Sequence, residues 1–323
     1  MSQDQALKFC QNILKKVSRS FALTIPRLDD NLYHPVMVTY LQDRLLDNFE
    51  DEIQDISLKK RKYLMDRVVE IFEPENSSPT EAIAEIEEQA SLFKDQALAR
   101  LTQNAHLLRE AYNSLENEVQ QISYKWLVKM NDGMQKYLSK NVETFSDLDE
   151  YCYYVAGTVG GFLTETIIYK EDINEKKEQI LRDKFKNSGR FLQKVNIIRD
   201  IQKDVTRREK NYWPLKSLGL TLPELMDSQN QKQSVECLDR MIADVCNHVP
   251  DLLDYYRALP DSLPGYKRFY ALNNALGLAT LEKMQGNPDV FFKKRKVKVN
   301  KLRFLQILKA PEKIFLQKSE KYV

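Results

Sequence analysis

The sequence predicts an all-α protein on three observations. There are only 9 glycines in 323 residues, 30% of residues are charged with Leu, Lys, Glu and Gln abundant, and apolar residues recur at helical spacing along most of the chain. Straight-chain residues lose little rotamer freedom in a helix, and the turns of a strand-rich chain need glycines that are scarce here. A hydrophobic content of 42% supports a sizeable core. The chain is read as one helical domain over 1–323, with a basic, amphipathic tail at 293–323.

The net charge of +2 gives no overall field toward nucleic acid, so none is expected as a partner. Cys10, Cys152, Cys237 and Cys246 form no C-x-x-C pair and have no histidine series at zinc spacing, which points to a reducing cytoplasm. The opening Met-Ser-Gln-Asp-Gln lacks the basic and apolar regions of a secretory signal, so export is not expected. No apolar run approaches the roughly 18–20 residues that cross a bilayer; the best, 154–163, is interrupted by glycine.

Residues 4–17 place Ala6, Leu7, Phe9, Ile13, Leu14 and Val17 at helical period, which stops at Ser18-Arg19-Ser20-Phe21. Two hydroxyls and a guanidinium together suit either a helix cap or a phosphate. After a loop at Pro26 and Asp29-Asp30-Asn31, the period resumes over 35–52 through Val36, Val38, Tyr40, Leu41, Leu45, Leu46 and Phe49. Asp43, Arg44, Asp47, Glu50 and Asp51 fall on its polar side. Asp47 and Asp51 stand one turn apart with Glu50 beside them, and like charges at that spacing repel. The cluster is either an exposed acidic face or a cation site.

Pro74, Asn76, Ser77, Ser78 and Pro79 break the pattern, and Ser78-Pro79-Thr80-Glu81 has capping-box spacing for the next helix. Long charged helices over 81–123 read as outer scaffold. Trp126, Leu127, Met130, Met134 and Tyr137 make an apolar helix face suited to core packing or to lining a hydrocarbon site. In 151–162, Gly157, Gly160 and Gly161 each cost up to about 1 kcal/mol relative to Ala in a helix. No Lys-Ser/Thr pair follows them as a phosphate loop requires. A bare helix wall against a flat apolar chain accounts for them.

The stretch 193–204 sets Gln193, Asn196, Asp200 and Asp204 along one side of a helix, among Val195, Ile197, Ile198 and Ile201. The spacing of Asp47 and Asp51 thus recurs at Asp200 and Asp204. Two such acidic helices facing each other favour divalent cations. Mg²⁺ takes carboxylate oxygens and is shared with substrate phosphates, so the pair reads as a diphosphate site at which a carbon–oxygen bond ionises. Arg207, Arg208 and Lys210 follow, placed to hold diphosphate oxygens, before Tyr212-Trp213-Pro214. His34, His106 and His248 are scattered and receive no acid–base role. The basic run 293–303 precedes Phe304, Leu305, Ile307 and Leu308, and three readings stay open for it: contact with anionic lipid, a grip on a phosphorylated cofactor, or a solvated end.

Four blocks together resemble the squalene/phytoene synthase family, most closely its squalene synthase branch, over about residues 15–300. They are Ser18-Arg19-Ser20-Phe21-Ala22, the segment from Tyr40 to Asp51, the segment from Tyr151 to Gly160, and the segment from Phe191 to Asp204 followed by Tyr212-Trp213-Pro214. The resemblance implies an isoprenoid synthase fold, a single helical domain around a central hydrophobic cavity. It implies Mg²⁺ held by Asp47, Glu50, Asp51, Asp200 and Asp204, with Gln193 and Asn196 supporting that wall. Ser18, Arg19, Ser20, Arg44 and Arg199 would face phosphate oxygens or the acids. Tyr151 would accept the proton lost in forming a cyclopropyl intermediate, and Lys296 and Lys298 would meet the phosphate of NADPH. The chain departs from the family pattern at Tyr270-Ala-Leu-Asn-Asn-Ala275 and at Glu209-Lys210-Asn211.

The implied reaction is the head-to-head condensation of two farnesyl diphosphates through presqualene diphosphate, followed by reduction with NADPH. One alternative stops at presqualene diphosphate or gives dehydrosqualene without a reductant. Another, of a different class, is a non-catalytic assembly factor of the same fold. A cytoplasmic protein, with or without peripheral membrane contact, is expected.

Overall fold

The structure is a computed structural model that describes residues 3–18, 20–53, 56–207, 210–293 and 296–322. Arg19, Arg208 and Glu209 therefore lie outside the described residues, as does the side chain of Arg207. Helices and their connecting turns make up the described chain, and none of these helices is long and apolar enough to cross a membrane. The chain divides into two compact units, Met1–Leu138 with Glu165–Lys170, and Ser139–Thr164 with Glu171–Val323.

In the first unit, α1 (Gln3–Val17) buries Ala6, Cys10, Ile13 and Leu14, the apolar stripe legible in its period. α2 (Asp30–Asp47) buries Val36, Met37, Val38, Leu41, Leu45 and Leu46. At its end the helix widens into a π-turn, Asn48–Glu52, and then runs extended at Ile53. The regular helix expected over 35–52 thus changes geometry at Asp47.

α3 (Leu58–Ile71) follows, then three short helices, α4 (Thr80–Glu88), α5 (Gln96–Thr102) and α6 (Ala105–Asn113), where the sequence suggested long ones. The expected capping box does not form: Pro79 occupies the cap of α4 without a side-chain hydrogen bond, and the Ser78 amide donates to Asn76 Oδ1 instead. In α7 (Asn117–Tyr137), Trp126, Leu127, Met130, Met134 and Tyr137 are buried. A buried polar seam joins α7 to α2, where Ser123 Oγ lies 3.0 Å from Thr39 and donates to Gln42 Oε1 at 2.7 Å.

In the second unit, α8 (Phe145–Cys152) starts at a capping box in which Thr144 and Asp147 satisfy each other's backbone amides. A second π-turn, Tyr153–Gly157, leads into α9 (Thr158–Lys170), whose residues 165–170 belong to the first unit. The long helix α10 (Glu175–Arg207) carries the stretch 193–204. Around it pack α11 (Gln231–Cys246), α12 (Val249–Ala258) and α13 (Pro264–Met284), and α14 (Lys301–Lys309) and α15 (Pro311–Ser319) cover α13.

The glycine-rich stretch serves this packing. A Cβ at Gly160 would lie 2.6 Å from the Phe185 carbonyl oxygen of α10, and one at Gly189 of α10 would overlap the Ala156 carbonyl. The missing side chain of Gly160 therefore admits a neighbouring helix backbone, where the sequence suggested an apolar ligand.

Candidate active site

The first acidic cluster forms where α2 widens. Ligand oxygens of Asp47, Glu50 and Asp51 all lie within 4.8 Å of one another. Glu50 is 2% exposed, while Asp47 and Asp51 are half-buried. Arg44, one turn before, donates to Asp47 Oδ2 at 2.5 Å and approaches Glu52 at 3.9 Å. Three convergent carboxylates, one of them sealed from water, form an all-oxygen donor set that fits a hard divalent cation.

The π-turn that presents these acids is held from α3. The Arg61 guanidinium donates to the carbonyl oxygens of Phe49 at 2.8 Å, Glu50 at 2.9 Å and Ile53 at 2.6 Å. Asp43, one turn before Asp47, is a further acid in the group. Burial first and the Asp47 carboxylate second push its carboxyl up to about 8. Its side chain nevertheless keeps partial exposure, so it occupies a recess and not the sealed core.

Of the Ser18-Arg19-Ser20 triplet, Ser18 accepts the Phe21 amide at 3.0 Å and hydrogen-bonds the Tyr40 phenol. The Phe21 ring packs on Tyr40 with centroids 5.0 Å apart. Ser20 occupies the cap position of the short turn Phe21–Thr24 and is exposed, its side chain making no capping bond. The local structure at Ser18 and Ser20 is thus that of a helix start, with the Ser18 hydroxyl engaged and Ser20 exposed.

In the second unit, Gln193, Asn196 and Asp200 are half-buried on α10 and Asp204 is buried. Asp200 accepts from Arg199 at 2.9 Å and from Lys296 at 2.6 Å. Burial alone would raise its carboxyl; the hydrogen bonds and charges of Arg199 and Lys296 outweigh that and hold it below its usual range. Arg199, Asp200, Lys203, Lys293 and Lys296 line a cleft of about 480 Å³ with Gln202, Thr206, Val290 and Val297. Four cations against one acid suit a phosphate-bearing ligand. Lys298, two residues on, is exposed and is not among the residues lining that cleft.

Tyr151, at the end of α8, is buried and stacks on Tyr212, with centroids 4.7 Å apart and planes 17° from parallel. On α10 itself, Lys194 has no exposed surface. Its ammonium lies 2.6 Å from Asp149, 2.5 Å from Asp244 and 3.0 Å from His248 Nε2, tying α10 to α8, α11 and the start of α12. Burial would raise the Asp149 carboxyl, but His248 and Lys194 pull it well below the usual carboxylate range.

Sequence reasoning placed Asp43 on the polar side of its helix and Tyr212 in a family block without giving either a role, and it missed Arg61 and the partners of Lys194. Arg61 is the one guanidinium in Lys59-Lys60-Arg61-Lys62 just after the acids. An arginine among lysines in a first helical turn was the available signal, because the fork geometry suits several acceptors at once.

A sequence profile of the squalene/phytoene synthase family matches residues 14–303. The squalene synthase of Nicotiana benthamiana is 34% identical over 291 residues, covering 88% of this chain and 66% of that protein. Squalene synthase 1 of Arabidopsis thaliana is 32% identical over 292 residues with the same shares covered, and the inactive squalene synthase 2 of that plant is 34% identical over 296. The chain spans about two thirds of the length of these curated relatives. The solved complex of TcSQS with the ligand BPH1237 matches with a TM-score of 0.83 at 29% identity, covering 98% of this chain and 90% of that one. With an all-α isoprenoid synthase fold and a profile match that spans most of its length, the chain belongs to the squalene/phytoene synthase family.

Proposed function

We propose that the chain is a prenyltransferase that condenses two farnesyl diphosphates head to head, with Mg²⁺, through presqualene diphosphate, and then reduces the product with NADPH to squalene. The observation that carries this reading is the convergence of Asp47, Glu50 and Asp51, with Glu50 buried. A buried carboxylate is costly, and one whose ligand oxygen lies within 4.8 Å of two others fits a bound cation. Bound there, Mg²⁺ supplies charge neutralisation for a departing diphosphate.

The chain's own residues then divide the work. Asp47, Glu50 and Asp51, with Asp200 and Asp204, hold the metal ions. Arg44 and Arg199 offer guanidinium forks to phosphate oxygens, and Ser18, Arg19, Ser20, Gln193 and Asn196 add neutral and charged donors. Tyr151, fixed by its stack on Tyr212, takes the proton lost as the cyclopropane closes. Lys296 and Lys298 meet the cofactor phosphate.

A second reading, condensation without reduction, is favoured by one contact: the Lys296 ammonium is engaged by Asp200. Incubating the pure chain with farnesyl diphosphate and Mg²⁺, with and without NADPH, separates the readings by product mass. Squalene only with NADPH supports the reductive enzyme, and the same non-squalene product in both tubes defeats it. A non-catalytic assembly role would survive Asp47→Asn and Asp200→Asn, whereas the enzyme would lose two orders of magnitude or more in turnover, on the order of removing a charge-stabilising group.

The same reading places the protein in the cytoplasm with peripheral membrane contact through α14. Leu302 is 69% and Leu305 48% exposed there, beside exposed Lys298, Lys301 and Lys309.

A further inference from the structure

We infer that Arg61 is a positioning residue for the first acidic cluster, holding the π-turn Asn48–Glu52 in the one shape that lets Asp47, Glu50 and Asp51 share a divalent cation. The inference rests on the reading of those acids as a cation site.

A π-turn is a rare geometry with poorer internal bonding than an α-helix, and it persists where its surroundings hold it. Here the chain leaves the turn extended at Ile53, with φ −96° and ψ 127°. A helical turn that ends this way leaves its last carbonyls to be met by donors from outside. Arg61 meets three of them at 2.6–2.9 Å, the carbonyl of Glu50 itself among them. Nη1 bridges Phe49 and Glu50, and Nη2 reaches Ile53, so a single planar group fixes both ends of the segment that carries Glu50 and Asp51. A lysine has one ammonium and no rigid fork, and cannot reproduce that span.

Charge and geometry predict opposite signs. As a cation near Glu50 and Asp51, Arg61 repels an incoming metal ion, so its removal as mere charge would tighten cation binding. As the clamp on the turn, its removal lets the carboxylates diverge and weakens binding.

The test is a Mn²⁺ titration of the full chain followed by electron paramagnetic resonance without substrate, with Asp51→Asn identifying the site. Arg61→Met is expected to weaken Mn²⁺ binding at least tenfold, with Arg61→Lys recovering only part of the loss. The melting midpoint of the metal-free variants separates positioning from a general structural role, which would lower the midpoint without selectively lowering Mn²⁺ affinity. Unchanged or tighter Mn²⁺ binding by a folded Arg61→Met overturns the inference while leaving the cation site standing. Absence of Mn²⁺ binding in the unsubstituted chain removes the site and the inference together. If Arg61→Met does not fold, Arg61→Lys decides: weakened binding at an unchanged midpoint supports the clamp, and wild-type affinity overturns it.

Discussion

Lys194, with none of its surface exposed, holds the Asp149 carboxylate at 2.6 Å, and the same ammonium meets Asp244 at 2.5 Å. Removing the cation leaves two carboxylates that are 36% and 21% exposed, which costs less than breaking a fully buried pair, on the order of 1–3 kcal/mol. Lys194→Met is therefore expected to lose stability of that order in chemical denaturation. Asp149 also sets a pH dependence. Its folded carboxyl lies below the unfolded value near 3.9, so the folded state binds fewer protons there. Its contribution is full above about pH 4 and lost as the pH falls through the folded value. Lys194→Met should flatten this acid limb.

Asp43 titrates with the opposite sign. Its carboxyl is pushed up to about 8, so between the unfolded value near 3.9 and that point the folded state binds more protons. The stabilisation is full below about pH 4 and declines as the pH rises through 8. Asp43→Asn should raise the melting midpoint of the metal-free protein at pH 8.5 relative to wild type, and by less at pH 5. For a chain of 323 residues each kcal/mol relieved corresponds to roughly 1.5 °C. Equal effects at both values would show that Asp43 ionises normally.

Gly189→Ala puts a methyl group onto the Ala156 carbonyl of the second π-turn. Backbone atoms cannot step aside as a flexible side chain can, so a loss of about 1–3 kcal/mol is expected, typical of overpacking. Guanidinium unfolding measures it. The strain falls on the turn that follows Tyr151 and Cys152, so product formation should drop further than stability alone accounts for.

Vesicle flotation checks the α14 surface. Binding to vesicles rich in phosphatidylglycerol, weak binding to phosphatidylcholine alone, and release by 0.5 M salt are expected from roughly 1 kcal/mol per basic residue near an anionic surface. Leu302→Ser with Leu305→Ser should reduce the bound fraction severalfold at low salt. Equal flotation of the double variant would leave the exposed leucines without a role in membrane contact.

Much of this architecture was legible in the sequence because burial imposes the helical period on apolar residues. α1, α2 up to Asp47 and the 193–204 part of α10 follow from it. The two acidic stretches stood out in the sequence, since acids crowded at one-turn spacing repel without a cation, and the structure brings Asp47, Glu50 and Asp51 of the first together. Their local geometry was not legible. The change from α-helix to π-turn at Asp47 depends on Arg61, which reaches back 11 and 12 residues to Glu50 and Phe49, beyond any local propensity. Lys194 sits inside the stretch 193–204, but lysines are usually exposed and its acids come from other helices. The glycines announced a close approach without saying of what: periodicity cannot distinguish a ligand from the backbone of a neighbouring helix.

The widened turn at Asn48–Glu52 sets selection for durability against selection for chemistry at one place in the chain. An α-helical continuation would bond its backbone better, so substitutions that straighten the segment belong among the stabilising changes open to this sequence. Variants chosen for heat resistance alone should accumulate there first and pass a thermal screen while losing the ability to bind a divalent ion. A thermostabilised form of this protein is therefore best selected with a metal-binding assay running beside the melting curve.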